Sequence, residues 1–200
     1  MKLYHSPTTP FGRKVMVHLI ETGQAKDVTV IAVAGTPTSP GTMPVDQNPL
    51  GKIPALVLDD GTAIYDSRVI TRYLDELWGA GLYPADRLWD VLTLEAAAEG
   101  ILDSGLLMSY EVRLRPDDRQ WSGWLDAQWA KIANALDMLE PEAAALGARP
   151  LDMGQVALGC ALGYLDFRHD ARGWRTGHPQ LADWYARFAQ RPSMQATKPG

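Results

Sequence analysis

The sequence lacks most of the features that mark secreted, membrane-spanning or nucleic-acid-binding proteins. Cys160 is the only cysteine in 200 residues, so no disulfide can form within the chain and a reducing, cytoplasmic location is expected. The net charge is −5 and no basic run occurs, which argues against nucleic acid or an anionic membrane as a partner. No segment approaches the roughly 18 apolar residues of a membrane span. The start of the chain has no apolar stretch typical of a signal peptide, so none is expected.

Metal and thiol chemistry also lack their usual sequence patterns. The four histidines show no metal-ligand spacing such as H-x-x-x-H, so no metal cofactor is expected. Cys160 lies in the apolar run "VALGCALGYL", and free cysteine is among the most buried residue types. A core position is therefore predicted for Cys160, and thiol–disulfide exchange on the protein itself is not expected.

The residues that are present indicate a globular α/β region at the start of the chain. The apolar fraction is 46% and the charged fraction 22%, which is ordinary for a globular fold. Strand-like runs are "KLYH", "VTVIAV", "PALVL" and "TAIY", and helices are predicted after Thr9 and from about Asp66 to Trp78. Residues 34–47 are rich in Pro, Gly, Thr and Ser and predict a loop. The predicted order is β-α-β-loop-β-β-α.

The remainder of the chain has an almost entirely helical pattern. Helices are predicted at about 86–114, 118–147, 152–169 and 179–190. The predicted division is an α/β domain at 1–79, a linker at 80–85 and an all-helical domain at 86–200. Asp152 and Gln155 have the spacing of a helix capping box, which we interpret as structural.

Two predicted helix starts combine a capping residue with free backbone donors. Thr9 precedes Pro10, the typical pair of an N-cap residue and a first helical residue. Thr9 could simply cap the helix, or its hydroxyl and the positive helix end could face an anion. The second helix begins at Asp66 or Ser67, with the same two alternatives. As a binding site, its N–H groups and the Ser67 hydroxyl would hold a carboxylate while Asp66 pairs with an ammonium group.

A third candidate contact lies at the run "GKIPALVL". A proline begins the predicted strand although it has no N–H to donate. If the Ile53–Pro54 peptide bond is cis, the N–H and C=O of Ile53 turn outward. An extended peptide could then pair with Ile53 as an added strand. The alternative is a strand end without a binding role.

Three motifs in this order, "SPTTPFGRKV", "NPLGKIPALVLDDG" and "YDSRVITRYLDE", precede a helical region. This combination resembles the glutathione S-transferase family, and bacterial members in particular. The resemblance implies a thioredoxin-like N-terminal domain with a mixed four-stranded sheet, an all-helical C-terminal domain and a homodimer. It also implies that glutathione is bound as a thiolate and conjugated to a small hydrophobic electrophile, without a metal.

Carried over by motif, the resemblance assigns roles to individual residues. Ile53, before a cis Pro54, pairs with the backbone of the cysteinyl unit of glutathione. Asp66 and Ser67 hold the γ-glutamyl end. Thr9 stands where relatives place a Ser or Cys near the sulfur, and it is the candidate catalytic residue.

Two parts of this site stay open to alternatives. Tyr4, Ser6, Thr8 or a backbone N–H could stabilise the thiolate instead of Thr9. Lys52 is the candidate for binding the glycine carboxylate of glutathione, with Gln47 nearby. Lys52 could equally be a solvated surface charge.

The electrophile pocket is predicted to draw on the helix near 102–111, with Met108, Tyr110 and Glu111 as lining residues. Met108 could instead fill the core. Two other functions remain possible for such a chain. One is a transferase-like glutathione-binding protein without conjugating activity, in regulation or assembly, and the other is a glutathione-dependent peroxidase or isomerase.

Overall fold

The structure is a computed structural model that describes all 200 residues, and its first part is built on a four-stranded mixed sheet. The strands are β1 Lys2–His5, β2 Thr29–Ala32, β3 Ala55–Val57 and β4 Ala63–Ile64. Their order in the sheet is β2-β1-β3-β4. Strand β1 runs parallel to β2, whereas β3 is antiparallel to both β1 and β4. The predicted fold class is confirmed.

The strand directions bring three chain segments to one edge of this sheet. Tyr4 pairs with Ala55, so the end of β1 lies beside the start of β3. Leu56 pairs with Ile64, so the end of β4 lies beside the same end of β3. The segments that follow β1, precede β3 and follow β4 therefore leave the sheet at a common edge, although they are far apart in the sequence.

Two helices pack with this sheet, α1 Pro10–Glu21 and α2 Ser67–Trp78. Apolar side chains from the strands and helices form a small core that excludes water. Its buried members are Leu3, Val15, Leu19, Val28, Leu56, Ile70 and Leu74. Gly23 and Gly79 follow the ends of the two helices with φ of 73° and 60°, a left-handed conformation that favours glycine.

Six helices form the rest of the chain: α3 Leu88–Leu114, α4 Ser122–Leu139, α5 Ala143–Ala148, α6 Met153–His169, α7 Pro179–Phe188 and α8 Pro192–Ala196. The single helix predicted over 118–147 is wrong, because α4 and α5 are separate. Pro141 lies in the break and has no N–H for a continuous helix. The Glu140 carboxylate accepts hydrogen bonds from the N–H groups of Gln180 and Leu181 at 2.9 Å, which ties the break to the start of α7.

Helix α6 is the centre of the helical part, and its residues from Met153 to Leu165 are all buried. The predicted capping box is present at its start. The Gln155 N–H donates to the Asp152 carboxylate at 3.0 Å, and the Asp152 N–H donates to the Gln155 side-chain oxygen at 3.3 Å. Cys160 is fully buried, as predicted, and burial raises the pKa of its thiol to about 11. No helix in the structure combines the length and apolar character needed to cross a membrane.

A buried ionic cluster joins the two parts of the chain. Lys14 of α1 is fully buried, and its ammonium lies 2.8 Å from the Glu95 carboxylate and in contact with that of Glu99, both on α3. The Tyr83 hydroxyl donates to Glu95 at 3.0 Å, and it lies 2.8 Å from the hydroxyl of Thr71 on α2. Burial, followed by the charge of Glu95, raises the pKa of Tyr83. The cluster therefore holds α1, α2 and α3 together through charged and polar contacts.

Candidate functional site

Thr9 occupies the N-cap position of α1, but its hydroxyl does not cap the helix. The Thr9 N–H donates to the Ser6 C=O, and the Thr9 C=O accepts from the Arg13 N–H, both at 3.0 Å. No cap hydrogen bond reaches the Thr9 side chain. The capping alternative for the hydroxyl is therefore wrong. The hydroxyl stands free at the positive end of a helix that begins with proline.

A histidine ring lies beside Thr9 at the first turn of α1 and makes no hydrogen bond. The Nδ1 atom of His5 is buried without a partner, and burial lowers the pKa of this imidazole to about 4. A Cβ atom built on Gly12 would lie 2.2 Å from His5 Nδ1 and 2.7 Å from the Thr9 methyl carbon. Glycine at position 12 is thus required for the close contact between His5, Thr9 and the first turn of α1.

Ile53 presents unpaired backbone groups at the same edge of the sheet. The Ile53–Pro54 peptide bond is cis, as predicted. Ile53 lies outside the strands, and no hydrogen bond within the chain uses its N–H or C=O. The segment before it is held by Asn48, which is buried. Its side chain donates to the Lys52 C=O at 2.9 Å and accepts from the Leu50 N–H at 3.1 Å.

The start of α2 combines one half-exposed and one buried side chain. Asp66 is the N-cap residue and accepts from the Arg68 N–H at 3.0 Å and from the Arg68 guanidinium at 2.8 Å. Partial burial alone would raise the pKa of Asp66. The hydrogen bonds and charge of Arg68, together with the charge of Lys14, outweigh this effect, so the pKa of Asp66 lies below its usual value. Ser67 is buried, and its hydroxyl donates to the Glu99 carboxylate at 3.3 Å. Its single proton is thus directed toward the ionic cluster.

Charged side chains of both parts of the chain surround this helix start. Burial raises the pKa of Asp103 on α3, and the charge of Glu99 adds to that effect, whereas Lys52 and Arg68 act in the opposite direction. Lys52 is exposed and makes no ion pair within the chain. The structure thus brings the charge of Lys52 close enough to Asp103 on α3 to lower the pKa of that carboxyl. Sequence spacing gives no indication of Asp103.

A small cleft lies beside Thr9, between the start of α1, helix α6 and the C-terminal tail. Its volume is about 10 Å³, room for roughly one water molecule. Arg13 stands on the α1 side, Cys160 and Tyr164 on the α6 side, and Pro199 on the side of the tail. The cleft is therefore next to the free hydroxyl of Thr9 and is bounded by both parts of the chain.

Comparison with known proteins decides the family. Residues 8–77 match the N-terminal domain of glutathione S-transferases, and residues 122–187 match their C-terminal domain. The GST-like protein YibF of Escherichia coli (strain K12) is 34% identical to this chain over 204 residues, which cover 100% of the chain and 98% of that protein. The chain belongs to the glutathione S-transferase family. The resemblance seen in the three sequence motifs is confirmed.

Solved structures of glutathione transferase family members are similar over the whole chain. A member from Pseudomonas fluorescens Pf-5 with bound glutathione is 49% identical, with a TM-score of 0.96 and coverage of 100% of this chain and 98% of that one. A member from the same source with bound S-(propanoic acid)-glutathione is 48% identical, with a TM-score of 0.92 and full coverage of both chains. A glutathione S-transferase from Methylobacillus flagellatus KT with glutathione bound is 35% identical, with a TM-score of 0.86 and coverage of 100% and 99%.

In this glutathione S-transferase family member, the cleft beside Thr9 is not formed by the residues that the sequence predicted for the electrophile pocket. Met108 is 3% exposed and belongs to the core of the helical part, so it fills the core, as the alternative had it. Glu111 accepts from the Trp121 N–H at 3.0 Å and from Arg115 at 2.9 Å, which connects α3 to the start of α4. Tyr110 is partly exposed on α3. The cleft draws instead on α6 and the C-terminal tail.

Proposed function

We propose that this protein is a glutathione transferase that binds glutathione as a thiolate and conjugates it to a small electrophile. The observation that carries the proposal is the pair of unpaired backbone groups on Ile53, which lies between the two helix starts. An extended tripeptide pairs with such groups as an added strand. The glutathione bound to relatives that are 49% and 35% identical supports glutathione as the ligand.

Each part of glutathione has a matching group at this edge in the proposal. The cysteinyl backbone pairs with Ile53, which Pro54 follows in the cis form. The γ-glutamyl carboxylate accepts from the free N–H groups at the start of α2, and its ammonium pairs with Asp66. The Ser67 hydroxyl, whose proton is directed to Glu99, offers lone pairs to that ammonium. Lys52, exposed and without an ion pair, binds the glycine carboxylate.

The thiol of glutathione is the nucleophile, because the only protein thiol is buried and has a raised pKa. A thiol with a pKa near 8.5 requires about 2.7 kcal/mol of preference for the anion to lower that pKa by about two units. A helix N-terminus supplies roughly 0.3–1 kcal/mol, and one charged hydrogen bond about 1.5–3. The N-terminus of α1 can supply the first contribution, and the free Thr9 hydroxyl can supply the hydrogen bond.

The chemical step follows from this arrangement. The thiolate sulfur donates an electron pair to the electrophilic carbon and forms a carbon–sulfur bond. A leaving group departs with its bonding pair, or, where the electrophile is a conjugated alkene, the adjacent carbon takes a proton from water. Neither path needs an oxidant or a reductant.

The Thr9 assignment predicts a specific change in the pH dependence. In Thr9→Ala, we expect the apparent pKa of bound glutathione to rise by about one to two units, because a hydrogen bond to the thiolate is lost. The measurement is kcat/KM against pH together with the ultraviolet absorbance of the thiolate. Thr9→Ser, which keeps a hydroxyl, should resemble the unaltered protein. An unchanged profile in Thr9→Ala would move the role to Ser6, Thr8 or a backbone N–H.

The γ-glutamyl assignment predicts weaker glutathione binding when the Asp66 charge is removed. We expect Asp66→Asn to raise the dissociation constant of glutathione about tenfold, since a charged hydrogen bond contributes about 1.5–3 kcal/mol and part of Asp66 is exposed. Isothermal titration calorimetry measures the change. Asp183→Asn, at an exposed position on α7, is the matched control and should leave binding unaltered.

One experiment separates the proposed transferase from its alternatives. Glutathione is titrated first, and the protein is then assayed with a panel of electrophiles and with peroxides. Binding followed by conjugation supports the proposal, whereas peroxide turnover alone supports a peroxidase. Binding without turnover indicates a regulatory or assembly role. Absence of binding at millimolar glutathione contradicts all three. A homodimer and a cytoplasmic location are part of the proposal, and gel filtration and cell fractionation test them.

A further inference from the structure

The buried ionic cluster around Lys14, Glu95 and Glu99 carries more negative than positive charge. The single ammonium of Lys14 contacts both carboxylates. No other lysine or arginine forms an ion pair with either of them. Their remaining partners are the neutral hydroxyls of Tyr83 and Ser67. One unit of negative charge is therefore left uncompensated inside the protein, where water and salt screen it little.

Glu99 is the member of this cluster that contacts the start of α2. Its Oε1 atom accepts from the hydroxyl of Ser67, the first residue of α2, at 3.3 Å and also contacts Lys14. Its Oε2 atom accepts no hydrogen bond within the chain. The side chain of Glu99 is 9% exposed, against 2% for Glu95. A nearly enclosed carboxylate with one free oxygen thus lies beside the proposed γ-glutamyl contacts.

The charge of Glu99 acts on the exposed side chains around this helix start. The hydrogen bond to Asp66 raises the pKa of Arg68, and the charge of Glu99 adds to this effect more than the charge of Glu95 does. Burial raises the pKa of Asp103, and the charge of Glu99 raises it further. The field of Glu99 therefore extends to the surface where the γ-glutamyl end is proposed to bind.

The γ-glutamyl end of glutathione carries one ammonium and one carboxylate, and the start of α2 can distinguish them. The N–H groups of Ser67 and Val69 donate no hydrogen bond within the chain, so they suit the carboxylate. Arg68, an exposed cation in the first turn of α2, is already paired with Asp66. The buried negative charge of Glu99 attracts the ammonium and repels a ligand that has only the carboxylate.

We propose that Glu99 is a specificity-determining residue that selects ligands with a free γ-glutamyl ammonium group through its buried charge. This inference rests on the proposed glutathione binding and names the ligand feature that the site requires. Asp66 contributes at the surface, where water weakens charge interactions. Glu99 is nearly enclosed, so its attraction for the ammonium is weakened less. Peptide thiols whose γ-glutamyl amino group is absent or acylated should therefore be poor ligands.

Three peptides that differ at one end test the proposal by binding alone. Glutaryl-cysteinyl-glycine lacks only the ammonium of glutathione, and 4-aminobutanoyl-cysteinyl-glycine lacks only the γ-glutamyl carboxylate. Calorimetry measures the three affinities for the unaltered protein and for Glu99→Gln, which keeps the size of the side chain and an oxygen for Ser67. We expect Glu99→Gln to lower the preference for glutathione over the glutaryl peptide about tenfold.

The direction of each change separates charge from structure. Removal of the negative charge should weaken binding of the two peptides that have an ammonium, but it should leave the glutaryl peptide equally or more tightly bound. A purely structural role of Glu99 would weaken binding of all three peptides alike, and that result would overturn the inference. An unchanged preference in Glu99→Gln would overturn it as well.

Glu95→Gln is the matched control within the cluster. It removes a carboxylate that contacts Lys14 and Tyr83 but not Ser67. We expect it to lower the preference for glutathione by less than about threefold, with circular dichroism confirming the fold of both glutamine variants. A loss equal to that in Glu99→Gln would assign the effect to the cluster as a whole and would contradict the specific role of Glu99.

Asp66→Asn gives a second test that does not depend on the folding of Glu99→Gln. Asp66 is half-exposed, and its replacement leaves the charge of Glu99 in place. We expect a preference of about tenfold for glutathione over the glutaryl peptide to remain in this variant. Complete loss of the preference would show that Asp66 alone selects the ammonium, and the inference would be wrong.

Failure of the proposed function gives a different result from failure of this inference. If the unaltered protein binds none of the three peptides, the proposed glutathione binding itself is removed. If it binds glutathione and the glutaryl peptide equally well, only the role of Glu99 is overturned, and the proposed function stands.

Discussion

Replacement of Lys14 by Met is expected to lower the free energy of unfolding by about 3–5 kcal/mol, the usual cost of breaking a buried ion pair by removing one partner. Lys14 is fully buried between Glu95 and Glu99, which are themselves almost enclosed. Without the ammonium, two buried carboxylates would face each other with only hydroxyl partners. Urea denaturation at neutral pH measures the loss.

Two further variants show whether the loss comes from the charges. Lys26→Met changes an exposed lysine without an ion pair and should alter the free energy of unfolding by less than about 0.5 kcal/mol. Lys14→Met combined with Glu95→Gln and Glu99→Gln removes the unpaired carboxylates, and we expect it to recover part of the loss. A cost below about 1 kcal/mol for Lys14→Met alone would contradict the assigned role of the cluster.

Acidification is expected to destabilise the protein through His18 by about 3 kcal/mol between pH about 7 and about 4. His18 of α1 is fully buried, and neither of its ring nitrogens has a hydrogen-bond partner. Burial lowers its pKa to about 4, although the charge of Asp75 acts in the opposite direction. As the pH falls through the unfolded value of 6.5, the unfolded state binds a proton that the folded state does not. The contribution of His18 is therefore complete above pH 6.5 and is lost progressively toward the folded pKa.

The measurement is the free energy of unfolding of the protein and of His18→Leu across this range. The difference between the two curves isolates His18, because carboxylates with lowered pKa values, such as Glu21 and Asp66, contribute equally to both. At pH about 8, where His18 is neutral in both states, the difference reports packing alone. A difference that does not change with pH would show that His18 is protonated equally easily in the folded protein.

Local features of the fold could be predicted from the local sequence. Proline after Thr9 marks the first residue of α1, and Gly23 marks its end, because both residues restrict or permit particular backbone angles whatever surrounds them. The strands and the capping box of α6 could be predicted for the same reason, because they too depend on residues close together in the sequence. One exception is the break between α4 and α5 at Pro141, where helical periodicity on both sides concealed a turn that is held by contacts with α7. Another is the short helix α8, which was not predicted.

Only part of the candidate site could be predicted in this way. Ile53, Asp66 and Ser67 were indicated by their motifs, and the strand directions bring their segments to one edge of the sheet. Of the residues that line the cleft, Thr8 and Thr9 were indicated by sequence, whereas Arg13 and Tyr164 were not. Arg13 and Tyr164 lie far apart in the sequence, and nothing in the spacing around either residue shows that they line one space.

The sequence by itself therefore determined the order of most elements and the helix starts, because backbone preferences act within a few residues. The candidate glutathione contacts came from the resemblance of its motifs to a known family. Only the tertiary structure decided where the protons and charges lie. It shows that the Thr9 hydroxyl is free, that the Ser67 proton is directed to Glu99, and that Arg13 is buried without a carboxylate. These properties depend on which side chains meet from distant segments and how much water they exclude, and neither is encoded in local spacing.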